Sequence, residues 1–192
     1  MKTRILLLLT LPIVLLACNN EAKDSVDKAD SINEVKQDSA VINPQAIVTD
    51  EESTTFLVKA ANNGMAEVQL GELAQQKATN QKVKNFGAMM KTDHSAAYDL
   101  VAALASQRKV TLPAAIGDAQ KKDIEDLNKK SGSGFDRAYI KTMIRAHNET
   151  IDLFKQAADK VKDTEVKTFI DNTLPKLKNH LDSAKAIEKI IR

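Results

Sequence analysis

The chain has 192 residues, of which 28 are Lys or Arg and 26 are Asp or Glu, and its formal net charge is +2 at pH 7. Lys2 and Arg4 are the only charged residues before Cys18, so without that segment 26 basic residues balance 26 acidic ones. Balanced charge and an aromatic content of 4% exclude the basic, base-stacking surface that nucleic-acid binding needs. Cys18 is the only cysteine, which excludes an intramolecular disulfide and a cysteine-based metal cluster.

The N-terminal segment has a short basic start, an apolar run over residues 5–16 and the closing sequence Leu15-Leu16-Ala17-Cys18. The run is shorter than the roughly 20 apolar residues of a membrane-spanning helix. The segment resembles a bacterial lipoprotein signal peptide with its lipobox, so we expect residues 1–17 to be removed and Cys18 to carry lipid, palmitate included. Asn19 is not the aspartate that retains such proteins in the inner membrane. The expected location is therefore the outer membrane, facing the periplasm, and the membrane is the expected partner through the N-terminal lipid. The alternative is an ordinary signal peptide with an incidental cysteine.

Residues 19–52 have the composition of a solvated linker. They hold nine Asp or Glu and three Lys, with Ser, Asn and Gln between them and few large apolar residues. Such a stretch buries too little apolar surface to offset the entropy lost on ordering. Residues 18–52 are therefore predicted to form the lipidated cysteine and a flexible acidic tether. The alternative is a weak helix over residues 24–37, where some helical spacing occurs.

The rest of the chain has a helical pattern without strand-like alternation. The predicted helices run over residues 49–79, 80–107, 118–130, 133–161 and 163–191, with Thr49, Asn80, Ser133 and Asp163 capping the four long ones. Pro175 lies inside the last helix and should kink it. Residues 53–192 are thus expected to form one all-α domain, a ferritin-like four-helix bundle with a short extra helix in the crossover between two hairpins.

Each long helix carries one polar residue on the stripe that should be apolar, and these residues include all three histidines of the chain. They are Glu67, His94, His147 and His180. With a rise of ~1.5 Å per residue, the first two lie roughly 20 Å from their shared turn and the last two roughly 24–26 Å from theirs. All four therefore fall near mid-height of a bundle about 40 Å long. The pattern predicts that they meet in the core.

These residue types favour a metal site. Three imidazoles and one carboxylate suit a single Zn, Cu, Fe or Ni ion, and Met90 and Met143, each one turn before a histidine, add a soft-ligand alternative. No Glu-x-x-His motif is present, which argues against a di-iron centre and iron storage. Asp93, Glu149 and Tyr98 are candidates for orienting the site. Two alternatives stay open: a structural polar network of the same glutamate and histidines, paired within each hairpin, and a site for another ligand or partner.

Several stretches of the chain carry a family resemblance, namely residues 56–61, 64–68, 93–94, 135–147 and 174–181. Together they resemble the ferritin-like family called domain of unknown function 4142, over about residues 54–188. The resemblance implies a ferritin-like fold and an envelope or secreted protein, but no reaction, and hence no catalytic or cofactor-binding residues, no organic cofactor and no known protein partner. The sequence also lacks a serine-nucleophile motif and a glycine-rich phosphate loop. An enzymatic role is left open, with the residues weighing against it.

Overall fold

The computed structural model describes residues 23–39, 46 and 48–191. This part of the chain is all-α, as expected, and forms six helices: α1 (Ser25–Asp38), α2 (Glu51–Lys77), α3 (Gln81–Gln107), α4 (Asp118–Asn128), α5 (Gly132–Lys160) and α6 (Thr164–Ile190). The predicted signal peptide over residues 1–17 and the lipidation site Cys18 lie outside the described residues. Among the described helices, none combines the length and the apolar character needed to cross a membrane.

The four long helices α2, α3, α5 and α6 form a bundle in which neighbours run antiparallel. At one end, the backbone N–H groups of Thr79 and Asn80, between α2 and α3, donate to the Asp136 carboxylate in α5 at 3.0 and 2.9 Å. At the other end, Arg108 after α3 pairs with Asp163 before α6, with Nη2 and Oδ1 2.6 Å apart. Because α5 starts beside the end of α2, a crossover must span the bundle. That crossover contains α4, which packs on α2 and α5.

Side-chain caps define three of the long helices. Asn80 and Asp163 cap α3 and α6 as predicted, because their side-chain oxygens accept from backbone N–H groups of the first turn. The prediction of Thr49 as the cap of α2 is wrong. Asp50 occupies that position and accepts from the first turn at 3.0 Å, while Thr49 donates its hydroxyl to the Asp163 carboxylate.

The start of α5 also differs from the prediction. The helix begins at Gly132, which has φ +56° and so lies in the left-handed region that glycine favours. The predicted restart at Ser133 with Asp136 as its reciprocal partner is wrong, because the Asp136 carboxylate is turned to the α2–α3 connection instead. α6 remains helical through Pro175.

The flexible tether predicted over residues 18–52 is wrong for residues 25–38, which form α1, and the alternative of a helix over residues 24–37 is confirmed. The Asn33 amide donates to the Thr111 carbonyl oxygen and accepts from the Thr111 N–H, both at 2.8 Å. Asp24 caps α1 and also accepts from the backbone N–H of Asp118 at 2.9 Å. Ala29 is the one apolar residue of α1 that is buried. Hydrogen bonds to the crossover, more than apolar burial, therefore order this polar segment.

Two apolar clusters fill the bundle, and the four polar stripe residues lie between them. The cluster nearer the α5–α6 turn includes Phe56, Leu57, Val101, Phe154 and Ile170. The cluster nearer the α2–α3 turn includes Leu70, Val83, Met90, Phe135, Tyr139 and Met143. The predicted mid-height position of the polar residues is confirmed, since along α2, α3 and α5 each of them separates the two clusters.

A pair of glycines brings α2 and α3 close together one turn from Glu67. A Cβ added at Gly71 would lie 2.6 Å from the carbonyl oxygen of Gly87, and one at Gly87 would lie 2.8 Å from that of Gly71. No side chain fits between the two backbones at this crossing. The close approach places the glutamate on α2 within hydrogen-bonding distance of the histidine on α3.

Candidate metal centre

The four stripe residues meet in a ring of polar contacts that joins all four helices. Glu67 Oε2 lies 2.8 Å from His94 Nδ1, and Glu67 Oε1 lies 3.4 Å from His147 Nδ1. His147 Nε2 lies 3.4 Å from His180 Nδ1, and His180 Nε2 lies 2.8 Å from Asp93 Oδ2 on α3. Apart from Asp93, the ring is buried, with 5% exposure or less for each residue. Each of the four interfaces between neighbouring helices is thus crossed by one of these four contacts.

The outer nitrogen of each imidazole faces a hydrogen-bond acceptor, which fixes the tautomer of the neutral ring. His94 Nδ1 donates to the Glu67 carboxylate, and His180 Nε2 donates to the Asp93 carboxylate. His147 Nδ1 lies 3.0 Å from the backbone carbonyl oxygen of Met143, which can only accept, so this nitrogen carries the proton. In the neutral form of each ring the opposite nitrogen therefore presents a lone pair.

The inner nitrogens converge on one point in the core. One ring nitrogen from each histidine lies within 4.8 Å of the other two, and the ring centroids are 5.3 to 5.5 Å apart. His147 Nε2 and His180 Nδ1 face each other at 3.4 Å with no hydrogen between them when both rings are neutral. His94 Nε2 has no hydrogen-bond partner among the described residues. Facing lone pairs repel each other, so the cluster needs a proton or a cation at its centre.

The direction of the pKa shift distinguishes His94 from the other two histidines. Burial by itself would raise the pKa of Glu67, but the charges of His94 and His147 outweigh it and hold that pKa at about 2. Burial alone would lower the pKa of His94, and the charge and hydrogen bond of Glu67 reverse this and raise it. These opposite shifts favour a buried ion pair of Glu67 and His94, in which the second proton of His94 lies on the inner nitrogen.

The other two imidazoles are held neutral. Burial lowers the pKa of His147, and the negative charge of Glu67 compensates only in part. Burial likewise lowers the pKa of His180, against the hydrogen bond to Asp93, which raises it. Neutral imidazole is the form that binds a metal ion, so these two rings present free lone pairs at neutral pH.

The spacing of the nitrogens fits one ion. Two nitrogens bound at ~2.0 Å to the same ion lie about 3.3–3.5 Å apart in tetrahedral or trigonal geometry. The distance between His147 Nε2 and His180 Nδ1, 3.4 Å, already matches. The wider spacing to His94 closes with a side-chain movement of about an ångström. A cavity of about 20 Å³ lined by Glu67, His94, Tyr98 and Thr150, among others, has room for roughly one water molecule beside the cluster.

The residues predicted to bind the metal or to orient its ligands do not all lie where those roles require. Glu67 was expected as a fourth ligand, but its carboxylate sits behind His94 and is not among the convergent groups. Asp93 orients His180, as proposed from the sequence. Glu149 instead pairs with Arg145 on the surface, with Oε2 and Nη1 3.0 Å apart.

Met90 and Met143 are fully buried in the apolar cluster below the ring. The contact that Met143 makes with the site is through its backbone carbonyl oxygen, at 3.0 Å from His147 Nδ1. Side-chain periodicity carries no information about backbone acceptors, so the four-residue spacing between Met143 and His147 is the one feature of the sequence that could have indicated this contact. Tyr139, in the same cluster, has a hydroxyl group without a hydrogen-bond partner among the described residues, and burial raises its pKa.

The fold and the site define an all-α helical bundle with a buried cluster of three histidines that could hold a metal ion. The chain belongs to the family described as Domain of unknown function (DUF4142), which it matches over residues 39–187. No curated protein matches it.

Solved structures with a similar fold include CopM in the Cu(II)-bound form, with a TM-score of 0.64 and 16% sequence identity, covering 73% of this chain and 97% of that one. CopM in the Ag-bound form obtained by soaking has a TM-score of 0.61 and 17% identity, covering 71% of this chain and 94% of that one. At these identities the similarity shows the helical-bundle fold.

Proposed function

We propose that the protein binds one transition-metal ion through the inner nitrogens of His94, His147 and His180. The observation that carries the proposal is the convergence of three ring nitrogens in the core, of which His94 Nε2 has no hydrogen-bond partner among the described residues and the other two face each other at 3.4 Å. A bound cation supplies the missing partner. Glu67, Asp93 and a backbone carbonyl then act on the outer nitrogens, the arrangement that orients histidine ligands and raises their basicity.

We propose copper as the ion. Imidazole nitrogens suit copper, and the general order of divalent affinities places Cu²⁺ above Zn²⁺, Ni²⁺ and Fe²⁺. Further support comes from the similarity in fold to CopM, solved in Cu(II)- and Ag-bound forms. Zinc is the competing ion, because three histidines and a water molecule complete its tetrahedral geometry. The small cavity beside His94 provides room for such a water.

The proposal is tested with the mature protein without an affinity tag. The chain contains three histidines, all in the cluster, so any imidazole coupling in the electron paramagnetic resonance spectrum of bound Cu(II) must come from this site. We expect one equivalent of copper, nitrogen hyperfine structure, and a melting temperature that rises with the logarithm of free metal.

Two variants complete the test. His147→Gln removes an inner nitrogen and should abolish stoichiometric binding. Tyr139→Phe is the matched control: Tyr139 is also fully buried on α5, about two turns before His147, and its hydroxyl has no hydrogen-bond partner among the described residues. It should bind one equivalent with the same spectrum. Equal binding by wild type and His147→Gln would reject this site.

The second candidate function is a structural polar network without metal. The ring of contacts through Glu67, His94, His147, His180 and Asp93 favours it, because it links every neighbouring pair of helices and could fix their register. The same measurements separate the two functions. If copper, zinc, iron and nickel neither co-purify nor shift the melting curve of chelator-treated protein, the network is the remaining function.

We also propose that lipid on Cys18 anchors the bundle to the outer membrane, facing the periplasm. Support comes from the lipobox and from Asn19 in the sequence. Because α1 packs on the bundle from Ser25 onward, the chain from Cys18 to that point spans roughly 25 Å at most. The anchored domain would thus lie close to the membrane rather than at the end of a long tether.

A further inference from the structure

We infer that metal ions reach the histidine cluster through the seam between α3 and α6, where Asp93 is the first group they meet and His180 the first ligand. This inference rests on the proposed metal binding and adds the route by which the site is loaded. It assigns Asp93 a role in ion capture besides its hydrogen bond to His180.

The three outer acceptors differ in their access to water. Glu67, which holds His94, has a side chain only 3% exposed, and the carbonyl that holds His147 belongs to the fully buried Met143. Asp93, which holds His180, has a side chain 42% exposed. Of these three pairs of an imidazole and its acceptor, the pair of His180 on α6 and Asp93 on α3 is the one that connects the cluster directly with solvent.

The arrangement of the other helices leaves this seam accessible. α1 packs on α2, and α4 packs on α2 and α5, so the two additional helices cover the opposite side of the bundle. Along the α3–α6 seam lies a groove of about 470 Å³ whose lining includes Leu100 and Leu104 on α3 and Thr173 and Lys176 on α6. Lys176 is one helical turn from His180. The groove therefore runs along the same seam as the Asp93–His180 pair.

The chemistry of the pair suits the capture of a cation. An exposed carboxylate attracts and binds a hydrated metal ion at the surface. The ion then lies next to His180, whose Nε2 is 2.8 Å from the same carboxylate. Displacing this one surface-facing hydrogen bond lets the imidazole turn between Asp93 and the core. A route past His94 would instead require the buried ion pair with Glu67 to open.

The rates of metal binding test the inference. In stopped-flow experiments with Cu(II) and apo protein, Asp93→Asn should slow association by about tenfold or more, because the capturing charge is lost. The association rate is the diagnostic quantity, because losing the hydrogen bond to His180 also weakens this ligand and so favours faster dissociation. Asp99→Asn is the matched control: Asp99 is an exposed aspartate on α3, so its loss changes the net charge equally. Its association rate should stay within about twofold of wild type. Asp93→Glu should restore most of the lost rate.

Four kinetic results would overturn the inference. Unchanged association with faster dissociation in Asp93→Asn means that Asp93 only orients His180. An equal slowing in Asp99→Asn means that net charge, not this position, sets the rate. Absence of copper uptake by wild type refutes the proposed function and the uptake route together, whereas normal uptake with unchanged Asp93→Asn kinetics refutes the route alone.

A second measurement on the apo protein requires no metal. In ¹⁵N-histidine spectra the outer nitrogen of each imidazole should give a proton signal, and among these three protons the one on His180 Nε2 should exchange with water fastest. Exchange at His94 or His147 that is as fast as at His180 would place the solvent route elsewhere and contradict the inference.

Discussion

Replacing Glu67 with Gln should change the pH dependence of stability in a defined way. The amide keeps an oxygen that accepts from His94 Nδ1, but the buried negative charge is lost. In the wild type, the Glu67 carboxylate has a pKa of about 2 in the folded protein against 4.5 ordinarily. That difference corresponds to roughly 3 kcal/mol of stability, which is fully present above pH 4.5 and lost as the pH falls toward 2. About 2 kcal/mol of this loss falls between pH 4.5 and 3.

At alkaline pH the stability should change with pH in the opposite direction. The pKa of His94 is raised above 6.5, so its contribution is fully present below pH 6.5 and is lost as the pH rises through the raised value. The Glu67–His94 pair should therefore stabilise the apo wild type most between about pH 4.5 and 6.5. The Glu67→Gln variant should lose most of the pH dependence of stability at both acidic and alkaline pH. Metal displaces the inner proton of His94, so the metal-loaded wild type should lose the alkaline decline.

Urea denaturation of chelator-treated protein from pH 3 to 9 measures this pH dependence. Glu149→Gln is the control, because Glu149 is exposed and paired on the surface with Arg145. Its curve should follow wild type, offset by less than about 1 kcal/mol. Parallel curves for wild type and Glu67→Gln over the whole range would refute the buried ion pair, and with it the assignment of the inner proton to His94.

Three further predictions concern the rest of the chain. Gly71→Ala should lower the free energy of unfolding by about 1–3 kcal/mol, because its Cβ would lie 2.6 Å from a backbone oxygen of α3. Gly64→Ala, with 3.8 Å to the nearest atom, should be neutral or stabilising, and equal effects in urea titrations would contradict the packing argument. Asn33→Ala should cost about 1–3 kcal/mol by removing both bonds to Thr111, and an unchanged urea midpoint would mean that α1 is not docked as described. Cys18→Ser should give an unlipidated, uncleaved protein, as read by mass spectrometry of the amino terminus; lipid retained by the variant would disprove the anchoring site.

The centre of the bundle was predictable because it depends on helical periodicity alone. A polar residue on an apolar stripe stands out against the pattern, and the fixed rise per residue places it in depth. His94, His147 and His180 therefore meet where the sequence predicts. Periodicity gives a level and a face but no hydrogen-bond directions, so the sequence left open whether Glu67 binds the metal or pairs with His94, and the structure shows the pair.

The N-terminal helix was not predictable in the same way. Hydrophobic patterning detects segments that fold by burying apolar surface, and α1 buries only Ala29 among its apolar residues. What orders it is a side-chain amide, Asn33, that pairs with both backbone groups of Thr111 in a crossover far along the sequence. The helical spacing over residues 24–37 indicates a helix, but a polar contact of this kind leaves no apolar stripe to show that the helix docks on the bundle. A polar tract read as a tether can thus be a docked helix when a distant backbone segment offers unpaired groups.

The unsatisfied atoms in the ring bear on the choice between the two candidate functions. A polar network retained only to fix helix register gains most when each buried member is hydrogen-bonded. This ring instead leaves two buried atoms, His94 Nε2 and Glu67 Oε1, without a hydrogen-bond partner among the described residues, and it sets His147 Nε2 against His180 Nδ1. Three of these four atoms lie at the centre, where the three nitrogens converge. Conflict concentrated at one point is typical of a binding site, because the missing group has both a place and a required charge. A proton on His94 Nε2 and a metal cation both meet these conditions, and the metal measurement therefore separates the two functions.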